Sequence, residues 1–274
     1  MDGVNRTLFI PLYGKAVVSK QGVLLHDPKA EEIWSRAGFP LKGKAKSKWL
    51  AYYMGMRAAV FDRWLSTQMA EMLGAVVIHI GCGLDSRNCR VGTGGHPWYD
   101  VDFPEVIGER EKYYDESEAY HMLGSAVREK AWLETIPGGA DAIVVMEGVS
   151  MYFKREELLE LLSRLAERFA RVTLLMDCYT VFAARASKYK NPVNEVGVTR
   201  LYGVDDPGEL ETGTGLALLG EYDLTLPDLI SQLSSFDRHF FRLVFTGSVA
   251  KKIYRLYAYG TAVFSPCAGE ADVL

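Results

Sequence analysis

Two glycines and an acid follow the first strongly apolar segment of the chain, in VIHIGCGLDSRNCR at residues 77–90. Gly81 and Gly83 have no Cβ atom, so the backbone can turn sharply there and lie against a ligand. The next apolar segment, WYDVD, ends in Asp102, about twenty residues later, where a carboxylate can accept hydrogen bonds from ribose hydroxyls. A glycine pair alone also occurs in structural strand-to-helix turns, but the pair with the acid predicts a site for a nucleoside-containing cofactor.

Two cofactors compete for such a site, a dinucleotide such as NAD and S-adenosylmethionine. A dinucleotide site favours a third glycine where this chain has Ser86, and the charge of Asp85 would repel a diphosphate. The same charge is compatible with the cationic sulfonium of S-adenosylmethionine, which has no phosphate. These residues favour S-adenosylmethionine and leave an NAD-dependent oxidoreductase, or a non-catalytic S-adenosylmethionine-binding protein, as alternatives.

Length and composition are typical of one globular domain. The chain has 274 residues, 24% of them charged and 49% hydrophobic, with a net charge of −4. Such a charge provides no basic surface for nucleic acid or an anionic membrane. The N-terminus does not resemble a signal peptide, and no apolar stretch is long enough to span a bilayer. The four cysteines have no metal-ligand spacing, so we expect a cytoplasmic protein without a metal site: Cys82, Cys89, Cys178 and Cys267.

Apolar periodicity predicts the elements that position these residues. An amphipathic helix is predicted over 48–73 and another over 155–170. Strands are predicted over 75–80, 97–102, 120–126, 140–147, 171–178, 239–248 and 254–264. Continuously apolar strands that alternate with helices predict a parallel sheet covered on both faces, and the short final connector predicts an antiparallel last pair. The segment 179–227 has little pattern and several Gly, Pro and aromatic residues, which favours a lid over a disordered loop.

Several motifs in a fixed order resemble the leucine carboxyl methyltransferase superfamily. They are IHIGCGLDSRNCR, WYDVDFPEVIGERE and DAIVVMEGVSMYF, preceded by TLFIPLYGKA, LLHDPKAEEIW and MGMRAAVFDRWL. Within the superfamily, the chain is most similar to the bacterial polyketide-synthesis (tetracenomycin-type) O-methyltransferases. The resemblance implies a single class I S-adenosylmethionine-dependent methyltransferase domain over 1–274, with a Rossmann-like α/β fold. It further implies a mostly parallel seven-stranded sheet with an antiparallel final strand, an N-terminal helical cap over 1–73 and the lid over 179–227.

The resemblance assigns the methionine carboxylate of the cofactor to two cations. Arg57 matches the family's helix arginine, and a guanidinium can bind a carboxylate through two hydrogen bonds. Lys15 matches a basic residue upstream of the HDP motif that has the same partner in related members. The alternatives are a salt bridge between Arg57 and Asp62, and an exposed, unpaired Lys15.

The resemblance also implies which residues contact the nucleoside part of the cofactor. Gly81 and Gly83 lie beside the cofactor, and Asp102 binds the ribose in preference to Asp100 because it is nearer the end of its strand. Where many relatives have an Asp near the adenine, this chain has Ser125, whose hydroxyl could reach the adenine edge.

Glu147 ends an otherwise apolar predicted strand, and an unpaired charge buried there would be costly. By resemblance this carboxylate lies near the methionyl ammonium of the cofactor, and the alternative is a salt bridge to a core arginine.

The expected reaction is methyl transfer to an oxygen of a small molecule, in which the enzyme mainly aligns the reactants and S-adenosylhomocysteine is the product. A carboxylate acceptor needs no general base, whereas a phenol does. None of the histidines has a spacing typical of a base or metal ligand: His26, His79, His96, His121 and His239. The sequence therefore favours a carboxylate acceptor and assigns no catalytic residue, with Tyr13 and Tyr152 either lining the acceptor pocket or simply packing.

Overall fold

The computed structural model of the protein describes residues 7–41, 43–187 and 200–261. The strands are β1 Val76–Ile80, β2 Trp98–Asp102, β3 Tyr120–Gly124, β4 Asp141–Met146, β5 Arg171–Tyr179, β6 Leu216–Tyr222 and β7 Tyr254–Thr261. The first six helices are α1 Phe9–Lys20, α2 Pro28–Ala37, α3 Lys48–Glu71, α4 Arg87–Val91, α5 Pro104–Arg110 and α6 Ala131–Thr135. The later helices are α7 Arg155–Arg168, α8 Val181–Ala186, α9 Pro227–Ser231, α10 Ser235–Phe245 and α11 Gly247–Lys251.

All seven strands form one sheet in the order β3-β2-β1-β4-β5-β7-β6. Strands β1 to β5 pair in parallel, while β7 lies antiparallel between β5 and β6. This topology confirms the predicted class I fold with its antiparallel final strand. The strand order reverses between β1 and β4, and a ligand site is expected beyond the carboxyl ends of strands at such a point.

Both faces of the parallel strands are buried, because successive side chains of a strand point to opposite sides of the sheet. Val77 of β1 packs in an apolar cluster that includes residues of helices α1 to α3. Its neighbour Ile78 packs in a second cluster that includes residues of α6 and α7. The continuous apolar runs of β1 and β4 follow from this double covering.

Helices α1 and α3 cross at glycine positions. A Cβ atom at Gly14 would lie 2.8 Å from the Cβ of Met54, and one at Gly55 would lie 2.8 Å from the Cγ2 of Val18. Larger residues at either glycine would push the two helices apart. Because Lys15 is adjacent to Gly14 in the chain, the close crossing also fixes where that lysine enters the core.

The predicted strand over 239–248 is wrong. These residues belong to α10 and to the start of α11. The run FFRLVF is apolar at nearly every position, and so short a run does not distinguish a strand from a helix. The helix begins at Ser234, whose hydroxyl accepts a hydrogen bond of 3.2 Å from the backbone N–H of Asp237.

The strand that pairs with the outer edge of β7 is β6, with the sequence LALLGEY. It lies inside the segment 179–227 that is predicted to be a lid, so that segment is not all loop. The same segment contains α8, next to β5, and a 3₁₀ turn over Pro207–Leu210. Residues 188–199 of the predicted lid lie outside the described residues.

Across the described ranges, no helix is both long and apolar enough to cross a bilayer. The same residues contain no group of three or more His, Cys, Asp or Glu side chains that could hold a metal ion. Three cysteines have free thiols: Cys82, Cys89 and Cys178.

The helical assignment of α10 can be tested by two substitutions at positions that would share a face in a strand. Phe241 is fully buried, whereas Leu243 is 72% exposed. We expect Phe241→Ala to lower the free energy of unfolding by about 3–5 kcal/mol, and Leu243→Ala to change it by less than about 0.5 kcal/mol. Urea denaturation of both variants measures this, and similar losses for the two would contradict the helix.

Candidate active site

A cavity of about 1250 Å³ opens beyond the carboxyl ends of β1, β2 and β4. The turn after β1, the end of β2, the segment after β4 and the cap helices α1 and α3 all contribute to its wall. Seven of the nine residues predicted to form the site line this cavity: Lys15, Arg57, Gly81, Gly83, Asp102, Glu147 and Tyr152.

The other two predicted residues lie elsewhere. The side chain of Tyr13 packs against Trp34, with ring centroids 5.0 Å apart, and is not part of the cavity wall. Ser125 is also outside the wall, which is formed there by Ala126, Val127 and Arg128. A contact between Ser125 and an adenine therefore stays a prediction.

The glycine turn has the geometry that its sequence suggests. Gly81 and Gly83 have φ angles of 68° and 51°, in the left-handed region that favours glycine. A Cβ atom at Gly81 would lie 2.2 Å from the Cγ2 of Val149, which is closer than any real contact. The turn therefore brings bare backbone to the cavity wall.

The two acids of β2 have different environments. Asp100 is fully buried and accepts hydrogen bonds from Trp98 Nε1 (2.9 Å), Tyr120 OH (2.6 Å) and the guanidinium of Arg110. Asp102 lines the cavity, and its carboxylate accepts the backbone N–H of Gly83 at 2.8 Å. Burial raises the pKa of Asp102, although two backbone N–H groups act in the opposite direction. Of these two acids, only Asp102 faces the cavity, as is required if Asp102 and not Asp100 is to bind the ribose.

Three cationic side chains, each from a different helix, pair with the carboxylate of Glu147. Its carboxylate lies 3.3 Å from Lys15 Nζ and 3.1 Å from Arg57 Nε, and it is hydrogen-bonded to Arg87. Burial acts to raise the pKa of Glu147, but Lys15, Arg87 and Arg57 hold it well below its usual value. The alternative of a salt bridge to a core arginine is thus correct for Arg87, yet Glu147 also lines the cavity.

Asp85 does not present a free charge to the cavity. Its carboxylate lies 2.8 Å from Lys15 Nζ, 2.8 Å from Arg90 Nη1 and 3.3 Å from Arg87 Nη1. Burial acts to raise its pKa, but these cations hold the pKa well below its usual range. The premise that an unpaired Asp85 would repel a diphosphate is therefore wrong.

Arg57 does not pair with Asp62, which is bound by Arg87 and Arg90 instead. Its Nε donates to Glu147, and its Nη1 donates to the hydroxyl of Tyr254 at 2.8 Å. Its Nη2 has no hydrogen-bond partner among the residues that the structure describes. Because Arg57 lines the cavity, Nη2 is available to a ligand.

Two residues beside Arg57 are not among those predicted from the sequence. Asp177 lies near the end of the apolar strand β5, as Glu147 follows β4, and this similar placement could have identified it. Tyr254 begins β7, directly opposite Tyr179 of β5. Nothing in the local sequence of Tyr254 distinguishes it from the other tyrosines of β7.

Among the described residues, His79 is the single histidine of the cavity wall. Its Nδ1 lies 3.3 Å from Asp100, and its Nε2 lies 3.2 Å from Arg87 Nη1. Because a guanidinium can only donate, Nε2 must accept that hydrogen bond. Both ring nitrogens are therefore engaged within the protein, and neither is free to take a proton from a ligand.

The leucine carboxyl methyltransferase family model matches residues 5–166. The chain is 31% identical over 214 residues to the tetracenomycin polyketide synthesis O-methyltransferase of Streptomyces glaucescens, which covers 77% of this chain and 79% of that protein. It is 26% identical over 235 residues to an S-adenosyl-L-methionine-dependent methyltransferase of Gibberella zeae, with the same coverage of 77% and 79%.

A solved structure has a similar fold, the magnesium protoporphyrin IX methyltransferase of Synechocystis with bound S-adenosylhomocysteine. The TM-score is 0.52 at 12% sequence identity, over 91% of this chain and 100% of that one. At so low an identity the likeness concerns the fold alone.

The cluster around Glu147 makes a stability prediction. We expect Glu147→Gln to lower the free energy of unfolding at neutral pH by about 3 kcal/mol or more, because it leaves buried cations without their partner. Because the pKa of Glu147 is depressed, its carboxylate contributes fully to the free energy of unfolding above pH 4.5, the ordinary pKa of this group. That contribution is lost as the pH falls below 4.5. The free energy of unfolding of the variant should therefore fall less than that of the wild type as the pH is lowered. Denaturation at pH values from 3 to 7, about one unit apart, measures the difference.

The matched control is Glu160→Gln, which removes an exposed carboxylate paired with Arg164. It should change the free energy of unfolding by less than about 1 kcal/mol. Equal effects of the two substitutions would show that the Glu147 cluster does not stabilise the fold.

Proposed function

Since the chain belongs to the leucine carboxyl methyltransferase family and is an S-adenosylmethionine-dependent O-methyltransferase, we propose that its acceptor is a carboxylate of a small aromatic or polyketide-like acid. The observation that carries this proposal is the cavity beyond the sheet, whose wall contains both the residues proposed to bind the cofactor and several aromatic rings. No side chain of the described wall is placed to act as a general base.

The residues present fit the cofactor. Within the part of the chain that the structure describes, the Nη2 group of Arg57 has no partner and lies beside the cavity, where a carboxylate could accept its hydrogen bonds. The backbone of Gly81 leaves no room for a side chain, so a flat nucleoside could approach it closely. When bound, S-adenosylmethionine supplies a methyl group on a positively charged sulfur that is a good leaving group.

Each residue then has a separate task. Asp102 accepts hydrogen bonds from the ribose hydroxyls, and Lys15 and Arg57 bind the methionine carboxylate. Glu147 attracts the methionyl ammonium while it neutralises the two cations. The chain in this way orients the methyl group toward the aromatic part of the cavity, and alignment is the main contribution to the rate.

The acceptor group is inferred because the described residues of the cavity wall include no suitable general base. His79 is engaged by Asp100 and Arg87, as described above. Burial raises the pKa of Tyr152 to about 12, and raises that of Tyr254 well above its usual value. These phenols are poor bases at neutral pH, so an acceptor that is already ionised is favoured.

The body of the acceptor is inferred from aromatic side chains. Nine Phe, Tyr and Trp side chains of the described residues line the cavity: Trp49, Tyr53, Phe103, Tyr152, Phe153, Tyr179, Phe182, Phe245 and Tyr254. Such rings pack well against a flat aromatic molecule. The Streptomyces relative, whose name refers to tetracenomycin polyketide synthesis, supports the same class of acceptor.

The cap over 1–73 and the lid over 179–227 are proposed to enclose the acceptor. Supporting this, Thr7 and Leu8 from the first segment line the cavity, as do Phe182 and Leu201 from the second.

The cofactor assignment predicts the outcome of calorimetric titrations. The wild type should bind S-adenosylmethionine and S-adenosylhomocysteine, but not NAD. Arg57→Ala and Asp102→Ala should each weaken S-adenosylhomocysteine binding about tenfold or more, because each removes charged hydrogen bonds. Asp141→Ala, which removes a carboxylate at the opposite end of β4, should leave the affinity unchanged. Tight NAD binding without any S-adenosylhomocysteine signal would reject the assignment.

The acceptor assignment predicts a pH profile and a product. With labelled S-adenosylmethionine and a panel of aromatic acids and phenols, methylation should be nearly constant from about pH 6 to 9, above the carboxylic acid pKa. A phenol, with a pKa near 10, should instead react faster as the pH rises. Mild alkali should release the label as methanol from a methyl ester, and label that survives this treatment would rule out a carboxylate acceptor.

A further inference from the structure

The guanidinium of Arg57 is held on two sides. Glu147 accepts from Nε at 3.1 Å, and the hydroxyl of Tyr254 accepts from Nη1 at 2.8 Å. The backbone passes close to the group, since a Cβ atom at Gly148 would be 3.3 Å from both Nη1 and Nη2. These contacts leave Nη2 as the part of Arg57 available to a ligand.

Tyr254 is itself held by Asp177. Its hydroxyl donates to the Asp177 carboxylate, which is fully buried. The same carboxylate accepts the backbone N–H of Gly148 at 2.7 and 2.9 Å. The pair of Asp177 and Tyr254 is therefore fixed to the backbone that follows β4, where Glu147 also lies.

The direction of this chain of hydrogen bonds is unambiguous. A guanidinium only donates, so the Tyr254 oxygen accepts from Arg57 and its own proton goes to Asp177. Burial raises the pKa of Tyr254 well above its usual value, so the hydroxyl keeps the proton that it donates. Each bond in such a chain polarises the next.

We infer that Tyr254 and Asp177 are positioning residues that aim Nη2 of Arg57 at the methionine carboxylate of the cofactor. The inference rests on the proposed function, because the cofactor supplies that carboxylate. Nη1 of Arg57 already lies 3.3 Å from Asp177. Without the Tyr254 hydroxyl between them, the guanidinium would move onto Asp177 and turn Nη2 away from the ligand.

Two ligands separate this role from a general structural one. S-adenosylhomocysteine carries the amino-acid carboxylate, whereas 5′-methylthioadenosine has the same nucleoside and thioether without it. We expect Tyr254→Phe to weaken S-adenosylhomocysteine binding about threefold to tenfold and to leave 5′-methylthioadenosine binding unchanged. Calorimetry with both ligands measures the ratio of the two dissociation constants.

Two further variants complete the experiment. Tyr259→Phe removes a hydroxyl of the same strand that donates to the Pro207 carbonyl, away from the cavity, and should change neither affinity. In an Arg57→Ala background, Tyr254→Phe should weaken S-adenosylhomocysteine binding no further, because the residue that it positions is gone. If Tyr254→Phe does not fold, Asp177→Asn replaces it in both comparisons, with the same selective loss expected.

Three results would overturn the inference: equal weakening of both ligands by Tyr254→Phe, no weakening of either, or an additional loss in the double variant. A wild-type protein that binds neither ligand would overturn the proposed function itself, and this inference with it. A wild-type protein that binds both ligands while Tyr254→Phe is indistinguishable from it would overturn the positioning role alone.

Discussion

Three cationic side chains from helices α1, α3 and α4 converge on the buried carboxylate of Glu147 at the end of β4. An isolated charge at this depth would be strongly unfavourable, so each member of the cluster needs the others. The cluster joins the N-terminal helices to the sheet. It also explains why Gly14 and Gly55 occur where α1 and α3 cross, because a wider crossing would draw the cations away from Glu147.

The same cluster suits a zwitterionic ligand. The ammonium and carboxylate groups of the proposed cofactor carry one positive and one negative charge, so these two groups would leave the net charge of the buried cluster unchanged. The partners on the protein are already in place, which lowers the cost of reorganising them on binding. Asp85, whose charge is shared by Lys15, Arg87 and Arg90, takes part in this balance rather than opposing the ligand.

The sequence predicted the parallel part of the sheet because β1, β4 and most of β5 are apolar runs between helices. It also predicted seven residues of the cavity wall, among which Gly81, Asp102 and Glu147 end or follow predicted strands. Tyr254 and Asp177 were missed because their role depends on β7 lying beside β5, a contact between distant segments. Helix α10 was predicted as a strand because its run FFRLVF is apolar at nearly every position. The strand β6, which pairs with β7, was overlooked because LALLGEY has no polar alternation.

The partners of Arg57 lie far along the chain, with Glu147 separated from it by 90 positions and Tyr254 by 197. A ribosome adding about 5–20 residues per second would need about 10 to 40 s to travel from Arg57 to Tyr254. For the first part of that interval the cap helices have been synthesised while Glu147 has not, and contacts between such distant residues form slowly. The pocket is consequently completed only after Tyr254 has been synthesised, and a chain truncated before that residue would contain the glycine turn and Asp102 without a finished site.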